Sequence, residues 1–179
     1  MNTPFTRSYW VDPGRLLAGF YPGDRDEKVA DQKLQGLIDC GVTCVINLME
    51  ESERDHAGRP FLNYATRLQE FSTRAGRRLE WERRAIRDLH IPSPALMTQI
   101  LDQIDAAQQN GGAVYVHCWG GRGRTGTVVG CHLRRRFAMC GQDALNTLAQ
   151  LTSTKSGVFW PTPEMEVQRQ FVREWSETR

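Results

Sequence analysis

Val42–Leu48 (VTCVINL) is an almost unbroken apolar run of strand length, and Ala113–His117 (AVYVH) is a second, shorter one. A strand with no polar face is covered on both sides, the pattern of a central strand in a parallel sheet. The segments around these runs have helical periodicity, so the chain reads as one unit of alternating strands and helices. The expected fold class is α/β, a short and mostly parallel central sheet flanked by helices in a single domain over residues 1–179, with residues 1–7 expected to be flexible.

The remaining elements follow from spacing and punctuation. Trp10–Val11 and Leu16–Ala18 form a short extended start, and the Tyr21-Pro22-Gly23 turn leads into a helix with Val29, Ala30, Leu34, Leu37 and Ile38 on one face. Gly41 stops it. Tyr64, Leu68 and Phe71 have helical spacing as far as Gly76, whereas Leu79-Glu80-Trp81-Glu82 alternates as a half-buried strand. Ser93-Pro94 is a cap followed by proline at the first helical position, with Met97, Ile100, Leu101 and Ile104 behind it. A helix is expected from about Thr125, with Gly141 as its stop, followed by one around Asp143–Leu151 and one from Thr162-Pro163 to about Trp175.

Composition excludes several classes. No window approaches the ~18–20 consecutive apolar residues of a membrane span, and MNTPFTRSYW lacks a signal peptide's apolar core. Five cysteines with no export signal read as reduced thiols, so a cytoplasmic location is expected. Cys40 and Cys44 lack a complementary pair at ligand spacing; they suit packing, and neither metal nor cofactor is expected. A net charge of +2 offers no basic footprint for nucleic acid. Of the 23 cations only Lys28, Lys33 and Lys155 are lysines, and arginine is the residue whose fork suits phosphate and carboxylate. The runs Arg83–Arg84 and Arg134–Arg136 read as solvated faces, with docking of an acidic partner as the other reading.

The segment that carries chemistry is His117-Cys118-Trp119-Gly120-Gly121-Arg122-Gly123-Arg124-Thr125-Gly126. A cysteine at the carboxyl end of a central strand, opposite a helix N-terminus, sits where unpaired N–H groups converge. Thiols in such places fall from a pKa of ~8.5 to ~3.5–7.5 and become nucleophiles. Glycines 120, 121 and 123 let successive N–H groups of residues 119–124 face inward as an anion nest. Arg124, six residues on, can close the ring bidentately. The residues six places after the other cysteines are Ile46, Glu50, Phe137 and Asn146, so the arrangement is specific to Cys118. Gly121 to Gly126 also fits the dinucleotide pattern G-x-G-x-x-G, but only 53 residues follow and no further strand is evident.

HCWGGRGRTG resembles the H-C-x5-R-[ST] signature of cysteine-dependent protein tyrosine phosphatases of the small dual-specificity type. Its HC-aromatic-Gly-Gly form is particularly similar to the cyclin-dependent kinase inhibitor-associated phosphatases, and the likeness runs over roughly residues 8–176. The resemblance implies a metal-independent phosphomonoesterase working through a cysteinyl-phosphate. Cys118 would attack phosphorus, the amides of Trp119, Gly120, Gly121, Arg122, Gly123 and Arg124 with the Arg124 side chain would hold the oxygens, Thr125 would stabilise the departing thiolate, and His117 would set the local hydrogen bonds. It implies phosphorylated protein or peptide as substrate, phosphotyrosine first, with phosphoserine or phosphothreonine accepted.

A departing alkoxide or phenoxide needs a proton. Asp88, in a proline-bounded loop 30 residues before Cys118, is the best placed acid; Glu82 reads as strand, Asp102 and Asp105 as helix. Gln168 shares a helical face with Phe171, Val172 and Trp175, so an amide points with the buried stripe. In related phosphatases such a glutamine approaches the loop and places the hydrolytic water; bonding to a backbone carbonyl is the equal alternative. Arg122 is a departure from the protein-directed relatives. A second cation there would favour polyanionic phosphates and keeps a phosphoinositide or inositol-phosphate activity open; the side chain could equally face solvent. Glu50-Glu51-Ser52-Glu53 reads as a solvated loop, with framing of the pocket as the other reading. Two other classes remain: a silent phosphate-binding module, and thiol redox chemistry of the rhodanese or arsenate-reductase kind.

Overall fold

The computed structural model describes residues 2–153 and 161–177. Lys155 lies outside them. Five strands, β1 (Ser8–Asp12), β2 (Leu16–Gly19), β3 (Val42–Asn47), β4 (Glu80–Arg83) and β5 (Ala113–His117), form one sheet in the order β1-β2-β5-β3-β4. Only β1 runs antiparallel to its neighbour; β2, β5, β3 and β4 are mutually parallel. The sheet is therefore mixed but mostly parallel, as the two apolar runs require. Every residue of β5 is buried, whereas β4 at the edge alternates between exposed Glu80 and Glu82 and half-buried Trp81 and Arg83.

Among the described residues six helices flank the sheet: α1 (Glu27–Asp39), α2 (Ala65–Arg74), α3 (Pro94–Gln109), α4 (Gly123–Phe137), α5 (Gly141–Ser153) and α6 (Glu166–Glu174). α1 packs on β3 and on α2; α3 meets β3 and β5, α4 meets β2 and β5, and α5 and α6 pack on α4. The helix starts follow the sequence where a cap is present. Asp26 accepts from the Lys28 and Val29 amides, and Ser93 accepts from Leu96 ahead of Pro94, each cap contributing ~1 kcal/mol.

Two boundaries differ from the sequence expectation. α4 ends at Phe137, because Ala138 turns left-handed with φ 52°. Gly141 is the first residue of α5 and stops nothing; a Cβ there would lie 2.4 Å from the Arg173 Cα, so the glycine lets α5 close on α6. The last helix begins at Glu166 rather than Pro163. The Arg169 Nη1 donates to the carbonyls of Pro163 (2.6 Å) and Glu164 (3.1 Å), which holds those residues outside the helix.

The arginine runs are used structurally in large part. Arg134 caps the end of α6 through the carbonyls of Val172 and Arg173, and Arg135 pairs with Asp102 and Asp105 of α3. Arg83 donates to the Met49 carbonyl, and Arg84 meets Gln103 and Glu82.

Register explains where a ligand can bind. Gly19, His117, Asn47 and Arg83 form one row across β2, β5, β3 and β4. These are the last residues of four parallel strands, so the loops that follow them emerge together at the carboxyl edge, where open α/β sheets place their sites.

Candidate active site

Cys118 follows β5 directly and is 3% exposed. The next residues curl back: the Tyr21 amide donates to the Trp119 carbonyl at 3.0 Å, and Gly121 adopts φ 70° with its Cα against the Gly19 carbonyl carbon, where a Cβ would come within 2.5 Å. No side chain fits there. α4 then starts at Gly123, so Cys118 faces the open end of a fifteen-residue helix that carries no side-chain cap. The loop thus lies between the end of β5 and an uncapped helix start.

Arg124 is 1% exposed and reaches back across the loop ends. Its Nη1 donates to the Ile86 carbonyl at 3.0 Å, its Nη2 lies 3.0 Å from Glu53 Oε2 and 3.0 Å from Asp88 Oδ1, and Nη1 pairs with the other Glu53 oxygen. Burial by itself would lower the Arg124 pKa; the hydrogen bonds it donates to Glu53 and the charges of Cys118, Glu53 and Asp88 outweigh it and raise the value. The guanidinium is thus charged and fixed in orientation. The Arg124 Nε and the Thr125 hydroxyl are buried at the loop with no hydrogen-bond partner among the described residues.

Glu53 is the residue that sequence reasoning undervalued. The stretch 50–53 is not simply a solvated loop: the Glu53 side chain is 11% exposed and carries the Arg124 fork, while its Oε1 also accepts the Glu50 amide at 2.7 Å. The available signal was position, an acid six residues beyond the end of β3 on the sheet edge that binds ligands.

His117 is buried, and burial first pushes its pKa down to about 3, so the imidazole is neutral. Its Nδ1 is 3.0 Å from the Cys118 carbonyl. A carbonyl only accepts, so Nδ1 carries the proton and Nε2 accepts from the Tyr64 hydroxyl at 2.5 Å. Tyr64 in turn accepts from the Trp81 indole N–H at 3.0 Å. A one-way line of donors thus runs from Trp81 through Tyr64 to His117 and the Cys118 carbonyl.

Asp88 stands on the loop after β4, half exposed at 51%, with Leu89 beside it in a left-handed conformation of φ 62°. The loop is pinned at three places: the Ile86 amide donates to Leu48 at 3.0 Å, Asp88 meets Arg124, and the His90 carbonyl accepts from the Gln168 Nε2 at 3.1 Å. Gln168 is fully buried and its Oε1 accepts the Met165 amide at 3.1 Å. The backbone-carbonyl reading of Gln168 is the one the geometry shows. It bonds the His90 carbonyl, which belongs to the Asp88 loop.

Arg122 does not point freely to solvent; its Nη2 lies 2.9 Å from Glu164 Oε1 at the mouth. Cys118, Trp119, Gly120, Arg122, Gly123, Arg124, Asp88 and Gln168 all line one open cavity of about 480 Å³. Trp119 and His56 also line it, their rings 4.5 Å apart, and Phe61 packs behind Trp119 at 5.1 Å. Among the described residues no helix is long and apolar enough to cross a membrane.

Comparison with known proteins agrees with this architecture. Residues 5–174 match the family described as PTP-SAK, "Swiss Army Knife protein, DSP-PTPase phosphatase domain". Curated relatives include mouse dual specificity protein phosphatase CDC14B, 33% identical over 60 residues, and human CDC14C, 32% identical over 80 residues. The matches cover 32% and 44% of this chain but only 12% and 17% of those proteins. Among solved structures, Tk-PTP in its active form has a TM-score of 0.71 at 23% identity, with 94% of this chain and 95% of that one covered. Kinase associated phosphatase (KAP) gives 0.69 at 16% identity, covering 95% and 92%, and PTPMT1 in complex with PI(5)P gives 0.66 at 24%, covering 94% and 96%. At these identities the structural likeness speaks for the fold. With the family match over nearly the whole chain, it follows that this protein belongs to the dual-specificity-type protein tyrosine phosphatase domains of the Swiss Army Knife family.

Proposed function

We propose that the protein is a metal-independent cysteine phosphomonoesterase, with Cys118 as nucleophile and Asp88 as general acid, acting on phosphotyrosine in proteins and accepting phosphoserine and phosphothreonine. The observation that carries the reading is the convergence on one cavity of a strand-end cysteine, an uncapped helix start and a fixed arginine whose Nε has no protein partner. A phosphate dianion satisfies all three at once.

In the first step the Cys118 thiolate attacks phosphorus, the S–P bond forms as the ester O–P bond breaks, and the leaving oxygen takes the Asp88 proton. The loop amides and the Arg124 Nε hold the equatorial oxygens, whose charge they meet with dipoles already in place. The entering phosphate competes with Asp88 for Arg124, so the carboxyl is released beside the leaving oxygen. Glu53 keeps its grip on the outer edge of the fork and maintains the angle of Arg124. In the second step a water placed by Gln168 gives its proton to Asp88 and attacks phosphorus; the S–P bond breaks, and the thiolate accepts the free Thr125 hydroxyl proton in a hydrogen bond. His117 stays neutral throughout and fixes the Cys118 carbonyl.

A second substrate reading has its own support. Arg7 and Arg122 share the cavity with Cys118, and two further cations favour a phosphoinositide or inositol phosphate. A catalytically silent phosphate binder would need none of the Asp88 placement.

The test is hydrolysis of an aryl phosphate in chelator-containing buffer by wild type and Cys118→Ser, with mass spectrometry of the quenched wild-type reaction. Turnover in chelator, its loss by at least ~10³-fold in the serine variant, and a phosphate adduct on Cys118 are the expected results. Undiminished turnover in Cys118→Ser, or none in folded wild type, overturns the reading.

A further inference from the structure

The cavity mouth holds a cation that the phosphate cradle does not use. Arg7 precedes β1 with its backbone left-handed at φ 67°, a conformation a side-chain-bearing residue keeps only where its surroundings impose it, and such residues concentrate at ligand sites. Here the Arg7 carbonyl accepts the Phe20 amide at 3.2 Å, its Nη2 donates to the Gly120 carbonyl at 3.0 Å, and its guanidinium lies 4.2 Å from the centre of the Phe20 ring. Among the described residues no ion pair forms at Arg7. The two carboxylates lining the cavity are engaged elsewhere, Asp88 on Arg124 and Glu164 on Arg122. Arg7 and Arg122 line the same cavity, and burial first, then the charge of Arg122, press the Arg7 pKa downward. An anion between them would offset the two charges.

We propose that Arg7 and Arg122 form a second anion subsite beside the Cys118 cradle, which takes a second phosphate carried next to the scissile one by a compact polyol substrate. The proposal rests on the phosphatase reading above and on its polyanion branch. Compactness follows from level. Arg7 is bonded to Gly120, a residue of the cradle loop itself, so the subsite lies alongside the cradle and not a tyrosine ring's length above it, where an acidic neighbour of a phosphotyrosine would sit. Glu164 sets the selectivity from the other side, because it braces Arg122 and its charge opposes a second phosphate.

The experiment compares kcat/KM for an inositol with two neighbouring phosphates against the matching monophosphate, each as the free polyol and as a dioctanoyl lipid headgroup. It uses wild type, Arg7→Ala, Arg7→Lys and Glu164→Gln. The expected wild-type preference for the bisphosphate is about tenfold or more, the size of a hydrogen bond to a charged group. Arg7→Ala should bring that ratio close to one, Arg7→Lys should restore part of it, and Glu164→Gln should enlarge it. Preference in either form supports the subsite, and the form in which it is larger identifies headgroup or free polyol as the source. Should Arg7→Ala fail to fold, the lysine and glutamine variants read the same ratio. No wild-type preference, an equal loss on both substrates in the Arg7 variants, or better turnover of a doubly phosphorylated peptide than of the polyol overturns the proposal. Aryl phosphate hydrolysis that persists in wild type would then leave the phosphatase reading standing.

Discussion

The two sides of the pocket are built in opposite ways. The cradle is one continuous stretch, from His117 to Thr125, locked between a fully buried strand and a helix, and its backbone path leaves no room for a side chain at Gly121. The opposing side is assembled from three distant segments: Glu53 after β3, Asp88 after β4 and Gln168 in α6, joined by Arg124 and the His90 carbonyl. In the proposed mechanism a continuous element would make nucleophilicity and phosphate geometry a local property. An assembled one would make proton delivery depend on how loops from different parts of the fold meet.

The sharpest test of that division is Asp88→Asn. We expect a fall in kcat of about 10²–10⁴-fold with alkyl phosphates and a much smaller fall with activated aryl phosphates, while burst formation of the Cys118 adduct with the latter persists. Equal losses across leaving groups would remove Asp88 from proton transfer and break the comparison.

Glu53→Gln tests whether the assembled side also disciplines the cradle. Arg124 would keep its Ile86 carbonyl bond but lose the charged half of its brace, and a misdirected fork is expected to lower kcat/KM by about 10–10²-fold. Phosphate or vanadate inhibition should weaken in parallel. Unchanged inhibition would show that the loop amides alone orient the anion.

The cradle side should also show in the pH dependence of stability. Burial first holds His117 at about 3 and His132 at about 4, against an unfolded value near 6.5. The unfolded chain therefore binds protons that the folded one refuses. Stability is full above about pH 6.5 and falls as pH drops toward those folded values, each histidine adding a slope approaching about 1.4 kcal/mol per pH unit. Urea unfolding between pH 7 and 4 measures it, and His132→Leu should remove one share of the slope. A flat profile would mean that these rings are solvated.

The smallest expected effect is at the far end of the assembly. Gln168→Leu keeps the volume roughly but releases the His90 carbonyl, and a decline of a few-fold in kcat is expected, larger in the step that consumes the cysteinyl-phosphate. Accumulation of the Cys118 adduct in a quenched reaction separates this from simple loosening of α6.

Legibility in the sequence follows the same line. The two apolar runs gave the sheet, and Cys118 to Arg124 could be read from spacing because every member lies within one turn and one helix start. Asp88 was readable from a proline-bounded loop and its distance to the cysteine. Glu53 was readable only as an acid at the edge that binds ligands, since its pairing with Arg124 depends on the register that brings the end of β3 beside β5, which no local pattern records. Tyr64 and Trp81 looked like ordinary core aromatics, and their hydrogen bonds appear only once α2 and β4 meet. Arg7 offered even less, one arginine in an irregular stretch. The misplaced helix ends at Gly141 and Pro163 have the same origin: in each case a tertiary partner, the Arg173 backbone or the Arg169 side chain, overrode a residue that punctuates helices elsewhere.

The line of donors from Trp81 to the Cys118 carbonyl has an optical consequence. The indole that begins it is a native chromophore whose N–H is committed to Tyr64, so any ligand that shifts Cys118 or His117 changes the electrostatic field at Trp81 without touching it. Emission from this tryptophan, isolated by replacing the other four with phenylalanine, would serve as a built-in gauge of cradle occupancy, legible in real time without a labelled substrate.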